Sequence, residues 1–239
     1  MVASGTYVEN ININGKNISV IGEDRETTII DGNQNGSVVW FQNEVSEMAE
    51  LCNFTLINGS GTRHSPDYIG GGIYVNNSDP KLEKLVIIEN SSSAGGGIYL
   101  WSSRSNIKNV IISNNVASIR GGGLYMYDSD AILNNVTVAG NVASIGGGGI
   151  RLYESNPNFV NCVFWDNSPE SILLYENETP IVSYSDIEGG WDGTGNIDAD
   201  PLFCNPDSGN YTLAETSPCI NAGDPSSPLD PDGTIADMG

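Results

Sequence analysis

Three carboxylates and one guanidinium lie close together near the middle of the chain. Asp128, Asp130 and Glu154 follow two short apolar runs, and Arg151 lies within the second run. A pair of carboxyl groups can serve as the acid and base of glycoside hydrolysis. The same groups could instead hold Ca²⁺ for a polysaccharide lyase, with Arg151 as the base. The equivalent positions in neighbouring segments hold a mixed polar set: Asn77, Asp79, Ser102, Arg104 and Asn156. An ordinary polar column is therefore the alternative, and no catalytic residue is assigned.

Aromatic side chains recur beside these carboxylates at fixed intervals. In runs such as Ile73–Val75, the apolar ends would face one side of a strand and the tyrosine the other. Aromatic faces spaced along a groove can stack on the apolar sides of sugar rings. A ligand-binding face is therefore predicted, with six members: Tyr74, Tyr99, Trp101, Tyr125, Tyr127 and Tyr153. The alternative is that these rings only stabilise a sheet, or are covered by the C-terminal segment.

Four aspartates near the C-terminus form a possible calcium loop, although no cofactor is required. They are Asp224, Asp230, Asp232 and Asp237. Carboxylate oxygens are preferred calcium ligands, but the spacing does not match an EF-hand, which needs a bidentate Glu at its twelfth position. A simple Asp-Pro-Asp-Gly turn is the alternative.

The four cysteines and the single histidine point to structural roles. Cys204 and Cys219 flank a short loop, and in an extracellular protein a disulfide between them would stabilise the fold by roughly 3 kcal/mol. Cys162 falls in an apolar column and is predicted to be buried. His64 lies in a predicted surface loop that lacks a nucleophile-elbow context.

Internal repeats determine which elements must position these residues. A Gly-Gly-Gly-(Ile/Leu) string begins at Gly70, Gly95, Gly121 and Gly147, at spacings of 25, 26 and 26 residues. An asparagine ladder keeps the same spacings: Asn90, Asn115, Asn141 and Asn167. Three apolar columns precede that ladder: Leu82/Ile107/Leu133/Phe159, Leu85/Val110/Val136/Cys162 and Ile87/Ile112/Val138/Phe164.

A unit of about 25 residues that contains only strands and turns predicts an all-β, single-stranded, right-handed parallel β-helix of roughly seven coils. Stacked coils place equivalent residues about 4.8 Å apart. The apolar columns would form the interior, and the asparagines would hydrogen-bond from coil to coil. Residues 1–188 are assigned to this solenoid, with an insertion at 59–69 that projects as a loop. Residues 189–239 lose the pattern and are expected to form an acidic tail that caps the last coils.

Charge restricts the possible partners. The chain carries 30 acidic and 9 basic residues, for a net charge of −21. Such a balance excludes nucleic acid as a partner and disfavours an anionic membrane surface, because both require clustered Lys and Arg. No apolar run approaches the roughly 18 residues of a membrane span, so no membrane insertion is expected.

The repeats resemble those of bacterial secreted right-handed β-helix proteins of the pectin-lyase-like superfamily, most nearly the polymorphic outer-membrane and surface-anchored types. Three segments carry this resemblance: the Gly-Gly-Gly-Ile-Tyr repeat, the opening stretch Ile18–Asn33 and the tail Tyr184–Pro225. The superfamily includes polysaccharide lyases, glycoside hydrolases and adhesins, so the resemblance implies a fold more strongly than an activity.

Three functions remain open from the sequence. The first is a non-catalytic module, at the cell surface or secreted, that binds a polysaccharide or cell-surface glycan, or mediates adhesion, through the aromatic face. The second is a polysaccharide lyase or glycoside hydrolase, and the third is a rigid spacer. In each case we expect a monomeric module of a larger extracellular chain, with its signal peptide and anchor outside this segment.

Overall fold

The computed structural model describes residues 1–239, and successive coils of this chain contribute strands to three sheets, in which strands of adjacent coils pair in parallel. Sheet 1 has eleven strands: β1 (Gly5–Val8), β3 (Ser19–Ile21), β4 (Thr28–Asp31), β6 (Glu50–Ile57), β10 (Lys81–Ile88), β13 (Asn106–Ser113), β16 (Ile132–Ala139), β19 (Asn158–Val160), β20 (Val163–Trp165), β22 (Ile181–Ser183) and β23 (Asp186–Ile187). Sheet 2 has five: β7 (Thr62–His64), β8 (Asp67–Ile69), β11 (Ser91–Ala94), β14 (Val116–Arg120) and β17 (Val142–Ala143). Sheet 3 has seven: β2 (Ile11–Asn14), β5 (Val39–Gln42), β9 (Ile73–Asn76), β12 (Ile98–Trp101), β15 (Leu124–Tyr127), β18 (Ile150–Tyr153) and β21 (Ile172–Leu173).

The seven strands of sheet 3 correspond to seven coils, as the repeats predict. Equivalent residues of neighbouring coils stand in register, so that Leu82 pairs with Ile107 and Ile107 with Leu133. All three predicted apolar columns point inward and belong to one core of 33 buried residues. Cys162 is fully buried there, and burial raises the pKa of its thiol to about 12. The prediction of an all-β parallel solenoid is confirmed.

The asparagine ladder marks the corner between sheets 1 and 2. Asn90, Asn115, Asn141 and Asn167 are buried, and each of the first three donates its side-chain amide to the Oδ1 of the next. The ladder begins at Asn90, whose Oδ1 accepts the backbone N–H of Gly59. An asparagine could not replace Gly59, because a Cβ there would lie 1.9 Å from the carbonyl oxygen of Gly71.

The other two corners need left-handed backbone. Between sheets 2 and 3 the first glycine of each triplet takes this conformation, as at Gly95 with φ of 65°. The second glycine leaves room for the adjacent coil, since a Cβ on Gly96 would lie 2.4 Å from the carbonyl oxygen of Gly122. Between sheets 3 and 1, the left-handed residue follows the strand of sheet 3, as at Ser102 and Asp128, both with φ of 48°.

The segment after the last coil lies along the outer face of sheet 1. It contains a short antiparallel hairpin of β24 (Phe203–Asn205) and β25 (Asn210–Leu213), with a 3₁₀ turn at Pro206–Ser208 between the strands. Asn135 donates its amide to the Asp237 carbonyl at 3.0 Å, and Asn161 accepts the Asp224 N–H at 2.7 Å. The tail therefore covers a different sheet from the one that carries the predicted aromatic face. The structure holds no helix with the length and hydropathy needed to cross a lipid bilayer.

Candidate functional site

Two rows of outward-pointing side chains run along sheet 3. Strand register places Trp40, Tyr74, Tyr99 and Tyr125 in the first row, next to the glycine corner. It places Asn76, Trp101, Tyr127 and Tyr153 in the second row, which lies two residues further along each strand. Because each coil repeats the last, the aromatic residues of the sequence repeat become continuous rows.

The three tyrosines of the first row are buried, which corrects the prediction that all six aromatic residues are available to a ligand. Tyr74 and Tyr99 are each 7% exposed, and Tyr125 is 4% exposed. They pack with Ile69 and Ala94 of sheet 2, because sheets 2 and 3 meet at the glycine corner and enclose the side chains beside it. Burial raises the pKa of all three tyrosine hydroxyls above the usual value of 10. These rings therefore hold two sheets together outside the main core.

The second row forms a half-exposed aromatic column. Ring centroids are 5.7 Å apart between Trp101 and Tyr127, and 4.9 Å apart between Tyr127 and Tyr153. The column continues to Tyr175, which is 50% exposed and whose centroid lies 4.4 Å from that of Tyr153. We call these four residues the aromatic column. Sequence comparison between coils missed Tyr175, because the last coil is shorter and its tyrosine follows Tyr153 by 22 residues instead of 26.

The inserted segment borders one end of the aromatic column. The predicted loop at 59–69 contains the antiparallel hairpin of β7 and β8, which joins sheet 2. His64 at its tip meets Trp101 edge to face, with ring centroids 4.8 Å apart. This histidine is exposed, as predicted for a surface loop, but it is also a neighbour of the predicted ligand-binding face.

The four candidate catalytic residues do not form a shared hydrogen-bonded group. Asp128 and Glu154 occupy the left-handed corner after sheet 3, where Asp128 accepts the Ser102 hydroxyl at 2.9 Å. Asp130 accepts the Asn156 N–H at 2.8 Å. The guanidinium carbon of Arg151 lies 5.5 Å from the ring centroid of Tyr175.

Two of these carboxylates, Asp128 and Glu154, therefore stand at a left-handed corner that holds a polar residue in successive coils, as at Asn77 and Ser102. A related carboxylate that sequence reasoning missed, Glu178, accepts the backbone N–H groups of Glu154 and Glu176. Burial alone would raise the pKa of Glu178, but these and other backbone donors outweigh it and lower that pKa.

The tail aspartates are not gathered into a calcium site. The structure contains no group of three or more Asp, Glu, His or Cys side chains placed to hold a metal ion. Asp224 and Asp232 each accept the N–H two residues later, as in a simple turn. Asp230 and Asp237 accept the N–H groups of Asp237 and Asn221, and so they bind the tail to itself.

The predicted disulfide is also not formed. Cys204 is exposed on β24, whereas Cys219 is fully buried, and both are free thiols. Cys219 instead donates its thiol to Oδ2 of Asp186 at 3.2 Å, at the contact between tail and solenoid. The expectation relied on sequence separation, which does not reveal that one cysteine enters the core of the tail and the other faces solvent.

The sequence had not singled out Asp186, a fully buried carboxylate. It accepts the Ala199 N–H at 3.1 Å as well as the Cys219 thiol. Burial, with a smaller effect of the neighbouring Asp198 and Asp200 charges, outweighs the two hydrogen bonds and raises the pKa of Asp186 to about 6. Burial and the Asp186 charge likewise raise the pKa of the Cys219 thiol.

Comparison with known proteins agrees with this architecture. The model of the family described as "right handed beta helix region" matches residues 43–201. The chain belongs to that family. Residues 43–201 begin directly after β5, the second strand of sheet 3, and extend into the first part of the tail, so the match includes every coil that carries the aromatic column.

Solved structures of similar fold include pectin methylesterases. The chain is similar to a pectin methylesterase from Yersinia enterocolitica, with 13% identity and a TM-score of 0.52 over 82% of this chain and 75% of that one. It is also similar to a pectin methylesterase in complex with a hexasaccharide, with 12% identity and a TM-score of 0.51 over 89% of this chain and 88% of that one. At these identities the likeness concerns the fold alone. No curated protein sequence matches the chain.

Proposed function

We propose that this β-helix is an extracellular module that binds an extended polysaccharide along the aromatic column of sheet 3. The observation that carries the proposal is the position of the tail. It lies on sheet 1, and the column of Trp101, Tyr127, Tyr153 and Tyr175 stays open to solvent.

The geometry of the column suits a chain of sugar rings. Planes of aromatic rings in contact are only about 3.5 Å apart. A centroid separation of 4.9 Å at an interplanar angle of 5° therefore means that Tyr127 and Tyr153 are offset, and that each face is only partly covered. The column presents partial faces together with phenolic hydroxyls, so it offers both apolar contact and hydrogen bonds once per coil.

The polar surroundings complete the proposed face. Asp128 and Glu154 stand exposed at the ends of the same strands, and Arg151 lies beside Tyr175. Such groups can hydrogen-bond sugar hydroxyls at the rim of an aromatic platform. The neighbour with a bound hexasaccharide shows that a pectin methylesterase of this fold takes an oligosaccharide, which supports a search among polysaccharides.

The test is a binding measurement on a panel of plant and bacterial polysaccharides, by affinity electrophoresis and calorimetry. We expect at least one to bind, and we expect Trp101→Ala and Tyr127→Ala to weaken binding up to about tenfold each, since contacts of an aromatic face are of the order of 0.5–1.5 kcal/mol and 1.4 kcal/mol is a tenfold change in Kd. Tyr7→Ala is the matched control, because Tyr7 is a half-buried tyrosine on sheet 1. Absence of binding across the panel would leave the rigid-spacer function, and release of new reducing ends or of unsaturated products would instead establish an enzyme.

A further inference from the structure

A second concave site lies on the opposite side of the molecule from the aromatic column, between the tail and sheet 1. It is a cleft of about 1020 Å³. One row of paired residues from four adjacent strands lines it: Thr55, Val86, Ile111 and Thr137. At about 4.8 Å per coil this row is roughly 14 Å long. The cleft exists only because the tail lies on the sheet, since Phe203 and residues 208–213 also line it.

A second row in the cleft carries planar or charged polar side chains. Asn53, Lys84, Asn109 and Asn135 occupy equivalent left-handed positions, with φ between 52° and 61°. The side-chain amides of Asn109 and Asn135 differ in their hydrogen bonds. Asn135 donates its amide to the Asp237 carbonyl, whereas the Asn109 side chain has no protein partner. Lys84 is exposed, so the middle of the row is free to contact a ligand.

Arg25 adds donors from the first coil. Its Nη1 donates to the Asn109 carbonyl at 3.3 Å, which is the one protein acceptor of this guanidinium. A guanidinium has five N–H donors, so four are left for a ligand. With Lys84, Arg25 accounts for two of the nine basic residues of the chain.

The mixture of donors and acceptors points to the chemical class of the ligand. Four acidic side chains also line the cleft, Glu23, Asp24, Glu26 and Asp237, so its side chains carry no net positive charge and would not attract an anion. They form no metal-binding group of three. The floor strands β6, β10, β13 and β16 are each paired on both sides, so sheet 1 offers no edge in the cleft to which a peptide strand could add.

From these observations we propose that the cleft between the tail and sheet 1 binds a neutral oligosaccharide. Each sugar hydroxyl donates and accepts, and therefore satisfies the amides, the cations and the carboxylates of the cleft without introducing charge. Val86, Ile111 and Phe203 offer apolar contact for the ring carbons. The site is separate from the aromatic column, and it would stand whether or not that column binds a polysaccharide.

The test is calorimetric titration of the full chain with xylohexaose, mannohexaose and cellohexaose. We expect at least one to bind, and we expect Val86→Trp, which fills the floor of the cleft with a side chain that strands tolerate, to raise the Kd at least tenfold. Asn109→Gly removes the free amide and retains the left-handed backbone, so it keeps the proposal testable if Val86→Trp does not fold. It should raise the Kd about fivefold, as loss of one hydrogen bond does.

A control variant locates the site. Val116→Trp places the same bulky residue on β14 of sheet 2, at a position that is 48% exposed, and should leave the Kd unchanged. No binding of any of the three sugars at millimolar concentration overturns the proposal. So does binding that survives both Val86→Trp and Asn109→Gly, or tighter binding of hexagalacturonate in the cleft.

Discussion

The buried asparagine ladder can be tested by removing one internal member. Asn115 makes four side-chain hydrogen bonds, two from its amide nitrogen and two to its Oδ1. Its Nδ2 donates to the Ile87 carbonyl at 2.8 Å and to Oδ1 of Asn141 at 3.0 Å. Its Oδ1 accepts the backbone N–H of Asn90 at 3.0 Å and the Nδ2 of Asn90 at 3.1 Å. Asn115→Ala removes all four from a site that is 0% exposed.

The expected loss follows from these bonds. Each contributes about 1 kcal/mol net, so Asn115→Ala should lower the free energy of unfolding by about 4 kcal/mol. The backbone N–H of Asn90 loses its acceptor in a buried site, which adds to this cost. Asn115→Asp keeps the shape but turns an acceptor toward the Ile87 carbonyl, so it should destabilise at least as much as alanine.

Urea unfolding followed by circular dichroism measures this loss at pH 7. Asn106→Ala is the matched control, since Asn106 is an exposed residue on the same strand β13 and should change the free energy of unfolding by less than about 0.5 kcal/mol. A loss below about 1 kcal/mol for Asn115→Ala would refute the reasoning, because it would show that the ladder bonds are readily replaced.

Three further predictions follow from the corners, the thiols and the buried carboxylate. Gly96→Ala should destabilise by more than Gly189→Ala in the same urea assay, because a Cβ on Gly96 meets a backbone oxygen at 2.4 Å, whereas one on Gly189 meets nothing within 4 Å and adds only the backbone strain of a φ of 90°; equal losses would contradict this. The native chain should react with one equivalent of Ellman's reagent, at Cys204, and the unfolded chain with four. Absence of any reaction in the native chain would contradict the free thiol at Cys204 and support the disulfide. The pKa of Asp186 is about 6 in the folded chain, above its unfolded value, so the free energy of unfolding should fall by about 2 kcal/mol as pH rises from 4 to 7, and Asp186→Asn should abolish that part of the pH dependence.

The sequence alone determined the solenoid. The 25- and 26-residue spacing of glycines and asparagines specifies which residues stack, and alternation within each strand specifies which of them face inward. Ile98, Val110 and Phe159 are therefore buried where the pattern predicts. The asparagine ladder follows from the same spacing, because a side chain that repeats once per coil meets its own equivalent in the next coil.

Only the tertiary structure decided which aromatic side chains are exposed and where the tail packs. Tyr99 is buried because sheets 2 and 3 meet beside it. The spacing of the sequence repeat does not specify the angle between those sheets. The tail has no repeat, so nothing in its sequence states that Asp237 meets Asn135, 102 residues earlier. That contact leaves the aromatic column open and creates the cleft on sheet 1. Periodicity specifies contacts between equivalent residues of adjacent coils, whereas a contact between a non-repeating segment and the outside of the solenoid depends on the shape of both.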